Sequence, residues 1–413
     1  MSDLYNPNKK EPGGPAPADT TGAGPDAAPG LRAVEPLSSA PESPPAGDGG
    51  PAGRPPAQAA TGAGEVPVSV PVPDAVQASD PERIPSGGPD ADRVRIGLWG
   101  APRAGKTTYL AALPIAAMQH ERHHEGSWNI SGMTQEANAF LGHGIDLLTR
   151  QRTFPQATMG VQGLAWSVQG PKEKGMLGFR ARRPSFVLDI QDAAGEVFRH
   201  DNPQQAQLVG QLARSQGLIY LFDPLGDAQE GTESFTYLQS TLTQLAARVR
   251  DRDGLVDGRL PHHVSVCIAK FDHPDVFRPA VEAGWVTQDT EGAQLPHVPG
   301  EQSEKFFQWM CDDFRGSNAR LVRDALHAYF DRRRISYYAT SAIGFRLNPQ
   351  QVFDYKDYVQ PVEVDGTPHL RTSPVPINVL EPLIDLERRI HQDRSRERSR
   401  DRGRGGWRGV KRR

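Results

Sequence analysis

The 413-residue sequence predicts an α/β protein, a mostly parallel sheet with helices on both faces. Two observations lead there. Short apolar runs suited to buried strands recur through the middle of the chain, and segments of helical spacing separate them. The first of those strands also runs through a glycine-bearing loop directly into a helix.

The ordered elements begin late. Residues 1–91 are Pro, Gly and Ala with scattered acids, and the first 90 hold 19 of the 37 prolines and 13 of the 42 glycines. Such a segment cannot bury enough apolar surface to offset its ordering entropy, so it is expected to be disordered. Its run from Val66 to Pro73 should be extended and polyproline-like, either a spacer or a ligand for an aromatic groove. From Arg93 the pattern changes. Val94, Ile96 and Leu98 alternate with polar or small residues up to Gly100 and read as a strand. Residues 107–118 read as a helix that Pro114 should kink. A second helix is expected near 135–149, strands at 164–168 and 186–190, and a helix at 204–213. The apolar runs 218–222 and 264–269 suit buried strands, with a helix at 234–249 between them. Helices at 306–314 and 319–330, a strand at 335–339 and a helix at 379–390 complete the series.

Composition narrows the function classes. Two cysteines, Cys267 and Cys311, exclude a disulfide framework and a cysteine-rich metal site. No apolar run approaches the roughly 18 residues of a membrane helix, and the first residues lack a signal-peptide core. A soluble cytoplasmic protein is expected. The abundant Ala, Gly, Pro and Arg fit a bacterial source. The net charge of −3 hides an asymmetry. Residues 1–90 carry 12 acidic against 5 basic residues, and 388–413 carry 12 basic against 3 acidic.

Four motifs carry chemistry. Gly100-Ala101-Pro102-Arg103-Ala104-Gly105-Lys106-Thr107 fits GxxxxGK[ST], with a strand before it and a helix after. Glycines let backbone N–H groups converge on phosphate oxygens, and the helix adds its positive dipole end. Gly100, Arg103, Ala104, Gly105, Lys106, Thr107 and Thr108 are the expected contact set. Lys106 would reach the β- and γ-phosphates, and Thr107 would ligate Mg²⁺. The second motif is an apolar strand ending in Asp192-Ala193-Ala194-Gly195-Glu196. Asp192 would hold the Mg²⁺ shell opposite Thr107, and the Gly195 N–H would sense the γ-phosphate. Asp189 is a rival that lies inside the strand. In the third, the strand at 264–269 ends in Lys270-Phe271-Asp272. The Asp272 carboxylate can accept both N–H groups of guanine N1 and N2, which adenine lacks, while Lys270 lays its stem over the base. The fourth is Thr340-Ser341-Ala342, where the N–H after Ser341 can reach guanine O6.

In this order the motifs resemble the TRAFAC-class, Ras-like P-loop GTPases, over roughly residues 93–345. Within that class, LWGAPRAGKTTYLAAL, FPQATMG and LIYLFDPL are similar to the bacterial double-GTPase-type domains. The resemblance implies a Ras-like fold, GTP/GDP with Mg²⁺, and a switch between two states. It assigns Lys106 and Thr107 to the phosphate loop, Asp192 and Gly195 to the second switch, Lys270 and Asp272 to base reading, and Ser341 and Ala342 to the last motif. Thr158 is placed for the first-switch threonine that closes on Mg²⁺, with Thr153 as the alternative. Three positions depart from the pattern. Ala269 stands where the family carries Asn or Thr, which removes a side-chain tie from base site to phosphate loop. Glu196 stands where small GTPases place a water-orienting Gln. It either accepts a proton from water or is a solvated loop residue. Pro102 stands where many have Gly. Hydrolysis is therefore expected to be slow and to depend on an arginine finger from a partner, which contributes roughly 10³–10⁵ in rate.

The GTPase domain is expected over 92–392, with insertions at about 119–157 and 273–334. His120, His123, His124 and His143 fall in or beside the first but are irregularly spaced for a metal site. Residues 393–413 mix Arg-Ser and Arg-Gly repeats and are expected to be a disordered basic tail, able to bind nucleic acid or an anionic surface weakly. The leading expectation is a GTP-dependent switch acting on an unidentified effector or activating protein. A nucleotide-binding scaffold without turnover and a P-loop ATPase are the alternatives.

Overall fold

The computed structural model describes residues 93–123, 126–156, 162–172, 183–192, 203–226, 233–314 and 317–406. The order of elements follows the sequence pattern closely. β1 (Val94–Gly100) leads into α1 (Lys106–His123), which runs through Pro114 as one helix. β2 (Asn129–Gly132), α2 (Gln135–Ile145) and a π-helical turn fill the first expected insertion. Thr134 caps α2, accepting the Ala137 amide at 3.2 Å. β3 (Gln162–Gln169), β4 (Ser185–Asp192), α3 (Pro203–Leu212), β5 (Gly217–Phe222), α4 (Glu233–Arg250) and β6 (His263–Ile268) follow. The second insertion holds α5 (Pro274–Glu282), the short pair β7 (Thr287–Gln288) and β8 (Pro296–His297), α6 (Ser303–Trp309) and α7 (Ser317–Tyr329). The chain continues through β9 (Ile335–Ala339), β10 (Pro361–Val364) and β11 (Thr367–Leu370) to α8 (Glu381–Gly406).

Seven strands form the main sheet in the order β2-β3-β4-β1-β5-β6-β9. β4, β1, β5, β6 and β9 pair in parallel, whereas β2 and β3 join antiparallel at the edge. The fold is thus α/β, with a mostly parallel sheet. β5 and β6 are buried along their whole length, as apolar runs without alternation require. α1, α2 and the first half of α8 pack with β1, β3 and β4 in one apolar core. α3, α4, α6 and α7 pack in another with β5, β6 and β9. The chain leaves β1 toward β4 and later crosses back to β5. The carboxyl end of β1 is therefore a topological switch point, where open α/β sheets leave a crevice.

Two regions differ from expectation. The arginine-rich run after Gln392 is helical through Gly406 rather than disordered. Its helix continues the buried face of Leu383, Ile384, Leu386 and Ile390, and Ser395 and Ser399 bond back to carbonyls four residues earlier. Asp393 also pairs with Arg396 across one turn. The second difference is a lobe of residues 343–378 between β9 and α8. Phe345, Phe353 and Tyr358 pack on Phe277 of α5. Its hairpin β10–β11 turns at Asp365-Gly366, both with positive φ, as a two-residue turn requires.

Candidate nucleotide-binding site

The loop after β1 is shaped by its glycines. A Cβ on Gly100 would sit 2.8 Å from the Leu221 carbonyl, so only glycine lets β1 run this close to β5. Gly105 has φ +86°, and the space where its Cβ would stand is open. Arg103 is also left-handed, at φ +62°. The Ala104 amide donates to the Ala101 carbonyl at 3.2 Å, and Tyr109 to Gly105 at 2.8 Å as α1 begins. No acidic residue occupies the first turn of α1, so its dipole end is not offset from within that turn. The Lys106 ammonium folds back onto the Gly100 and Ala101 carbonyls at 3.1 and 3.0 Å. These features fit a phosphate: a cradle of backbone, a helix N-terminus, and an ammonium lying against the loop's own carbonyls.

The loop after β6 is held differently. The Ala269 amide donates to Phe222 at 2.8 Å, and Phe271 to Thr340 at 3.1 Å, so the loops after β5, β6 and β9 are tied through main chain. Lys270 has φ +57°. Its ammonium meets Asp223 at 2.6 Å. Asp272 is buried and accepts the Ser341 hydroxyl, which in turn accepts the Gly344 amide at 2.7 Å. Gly344 has φ +66°, and a Cβ there would run into the Val375 carbonyl. Burial pushes the Asp272 carboxyl up to about 6, against the opposing pull of the Ser341 hydroxyl, its own backbone contact and Lys270. A carboxylate buried in this way has acceptor capacity to spare for N–H donors.

One cavity of about 280 Å³ joins the two loops. Arg103, Ala104, Gly105 and Thr108 line it from the first loop, Ala269, Lys270 and Asp272 from the second, and Thr340 and Ala342 from the third. Ser341 itself is fully buried behind Asp272, so its hydroxyl orients the carboxylate. Phe154, Ile343 and Pro361 add an apolar wall that the motifs did not announce. That wall is braced. Leu370 of β11 donates to the Arg152 carbonyl at 2.7 Å, and Thr153 pairs with His369 in an isolated bridge. The lobe of residues 343–378 is thereby stitched to the segment just before Thr158. A larger cleft of about 560 Å³ lies at the amino end of β6, but its centre is filled by charges that pair with one another. Asp393 there meets His263 at 3.2 Å and Arg396 at 3.5 Å.

The remaining expected residues fall outside this frame. Asp192 ends β4, and the parallel register that matches Ile190 with Leu98 puts its backbone level with Gly100. Asp189 lies mid-sheet, held by Gln211 and by Arg95 at 3.5 Å, away from the strand end. Thr107 stands in the first turn of α1. Thr158, Gly195 and Glu196 lie outside the described residues. Among the described residues no group of three or more His, Cys, Asp or Glu is placed to share a metal ion, and no helix is long and apolar enough to cross a membrane. Asp223 was missed. Its signal was an acid closing an apolar strand, in Leu221-Phe222-Asp223-Pro224.

No protein-family model and no curated protein matches the chain. Among solved structures it is similar to the crystal structure of sup35 complexed with GDP, at 12% identity and a TM-score of 0.25. The match covers 63% of this chain and 41% of that one, so the chain spans about two fifths of that protein's length. At that TM-score the likeness carries no inference about this chain.

Proposed function

We propose that this chain is a guanine-nucleotide switch of the Ras-like P-loop type. In this reading it binds GTP with Mg²⁺, hydrolyses it slowly to GDP and phosphate, and offers a protein partner different loop arrangements in the two states. The observation that supports it most is the shared cavity. Gly105 and Thr108, Lys270 and Asp272, and Ala342 come from three stretches far apart in sequence, yet line one space at the carboxyl end of the sheet. In this reading phosphate would lie toward Gly105 and Thr108, and the base toward buried Asp272.

The proposed roles are these. Lys106 would turn from the Gly100 and Ala101 carbonyls to the β- and γ-phosphate oxygens, where it makes charge-assisted bonds. Asp272, ionised above its raised pKa, would accept the two guanine N–H groups, with Ser341 fixing its rotamer. Lys270 would cover the base with its stem. Bound Mg²⁺ would supply further neutralisation of phosphate charge. Thr107 and Asp192 are the proposed side chains for it, with Thr158 closing in the GTP state and Gly195 reading the γ-phosphate. Glu196 in place of Gln, and Pro102 within the loop, favour slow intrinsic turnover and reliance on a partner's arginine. The arginine-rich run of 393–413 is proposed as a weak site for nucleic acid or an anionic surface.

Phosphate release in a single turnover tests this reading. The chain, loaded with GTP and Mg²⁺, should release phosphate slowly, and Lys106→Ala should neither hold GTP nor release phosphate. Tight GTP binding with no release would favour the scaffold reading instead.

A further inference from the structure

We infer that Asp223 is a positioning residue for base recognition, tying the base loop to the end of β5 where Ala269 gives it no side-chain tie to the phosphate loop. This rests on the guanine reading above and deepens it. Asp223 follows β5 and is only 4% exposed. One of its carboxylate oxygens accepts the Leu225 amide at 3.0 Å, closing a local turn that fixes the side chain. The other receives the Lys270 ammonium at 2.6 Å. The anchor is therefore rigid and the cation is the adjustable member, since the Lys270 side chain is 35% exposed and lines the cavity.

The anchored residue is also a strained one. Lys270 holds φ +57°, a conformation that residues with a Cβ avoid. That left-handed step turns the chain at the end of β6 so that Asp272, two residues on, lines the cavity. Main-chain bonds from His273 to Lys270 and from Phe271 to Thr340 hold part of the turn. The methyl group of Ala269 can donate and accept nothing. The Asp223–Lys270 pair supplies a side-chain restraint of its own, across the paired ends of β5 and β6, where Phe222 lies opposite Ile268. Asp223 touches no part of the cavity itself, so it acts through Lys270.

The test uses the full chain and a ribose-labelled fluorescent GDP, with unlabelled GDP and IDP as competitors. IDP lacks the 2-amino group and so reports how well Asp272 is aligned. Asp223→Asn keeps the oxygen facing the Leu225 amide and removes the charge facing Lys270. Lys270→Met keeps the stem and removes the ammonium. Each should speed GDP dissociation by about tenfold, as loss of a charge-assisted restraint does. Each should also shrink the preference for GDP over IDP. The double variant should be no worse than either single one. The inference is overturned if Asp223→Asn leaves dissociation and the GDP/IDP ratio unchanged, or is equally harmful in the Lys270→Met background. Should Asp223→Asn fail to fold, an unchanged GDP/IDP ratio in Lys270→Met overturns it alone. A wild-type chain that binds no labelled GDP would instead overturn the guanine reading, and this inference with it.

Discussion

The two ends of the cavity are built in opposite ways. At the end proposed for phosphate the ammonium lies against main chain. Lys106 rests on two main-chain carbonyls, and a phosphate oxygen is a stronger partner for an ammonium than either. At the base end the charge is already committed. Asp272 lies buried, with Ser341 bonded to it and Gly344 bonded to Ser341. Its desolvation is built into the fold, which is why its carboxyl titrates near 6 rather than near 3.8. Affinity at the first end is therefore gained on binding. In the proposed function, selectivity at the second would be stored beforehand, at the expense of stability.

Removing the Lys106 ammonium should have the largest effect. Lys106→Ala should weaken GTP, GDP and ATP alike by roughly 100-fold or more, since it deletes charge-assisted bonds to phosphate. Calorimetric titration checks this. A loss confined to guanine nucleotides would break the division between the two ends.

Asp272→Asn should separate the ends further. It replaces an acceptor by a donor toward guanine N2, so GDP should bind about 100-fold less tightly while ADP is unchanged. Xanthine nucleotides, which carry a carbonyl at that position, should gain. The ligand-free variant should also be more stable at pH 7.5, by about 1–3 kcal/mol, because a shift of one unit corresponds to about 1.4 kcal/mol. Urea unfolding of the variant beside the wild type measures this. A clear loss of ligand-free stability would show that the carboxylate holds the fold together.

The same group predicts a pH dependence, and the sign follows from the raised pKa. Between about pH 4 and 6 the folded chain holds a proton on Asp272 that the unfolded chain has released. The contribution of Asp272 to stability therefore falls as pH rises through that window, and its full destabilisation is present above 6. Guanine recognition needs the carboxylate, so it runs the other way. GDP affinity should be flat above about pH 7 and drop about tenfold by pH 5, one unit below the pKa. Asp272→Asn should abolish this part of the profile. Titrating both proteins from pH 5 to 8 decides the point, and parallel profiles would refute it.

The smallest effect expected is at Ser341. Ser341→Ala removes the hydroxyl that favours the Asp272 carboxylate, so GDP should weaken by a few-fold and the midpoint of the pH profile should move up. A downward move would mean that Ser341 opposes ionisation.

The sequence disclosed the sheet well because buried parallel strands are written as largely apolar runs, as in Leu218–Phe222 and, around Ser265, Val264–Ile268. It disclosed the phosphate loop and the Lys270–Asp272 loop because each needs fixed residue types at fixed spacing. The lobe of residues 343–378 was hidden. Its hairpin strands are mostly exposed and do not alternate, and its fold depends on aromatic contacts with α5, which is distant in sequence. Asp365-Gly366 was the legible clue to that hairpin. Asp223 was hidden for a different reason. An acid after a strand is common, and only the β5–β6 pairing brings it to Lys270. The helical continuation of α8 was masked by its arginine-serine repeats, whose composition resembles a solvated tail but whose Asp393–Arg396 pairing suits a helix.

In the proposed function, the cavity that runs from Gly105 to Asp272 selects a guanine nucleotide. The most direct test of that claim is the affinity of the full chain for GTP and for ATP, with Mg²⁺, beside Asp272→Ala. GTP should bind at least 100-fold more tightly than ATP, and the substitution should erase the difference while leaving ATP unaffected. Equal or tighter binding of ATP by the wild-type chain would contradict the claim.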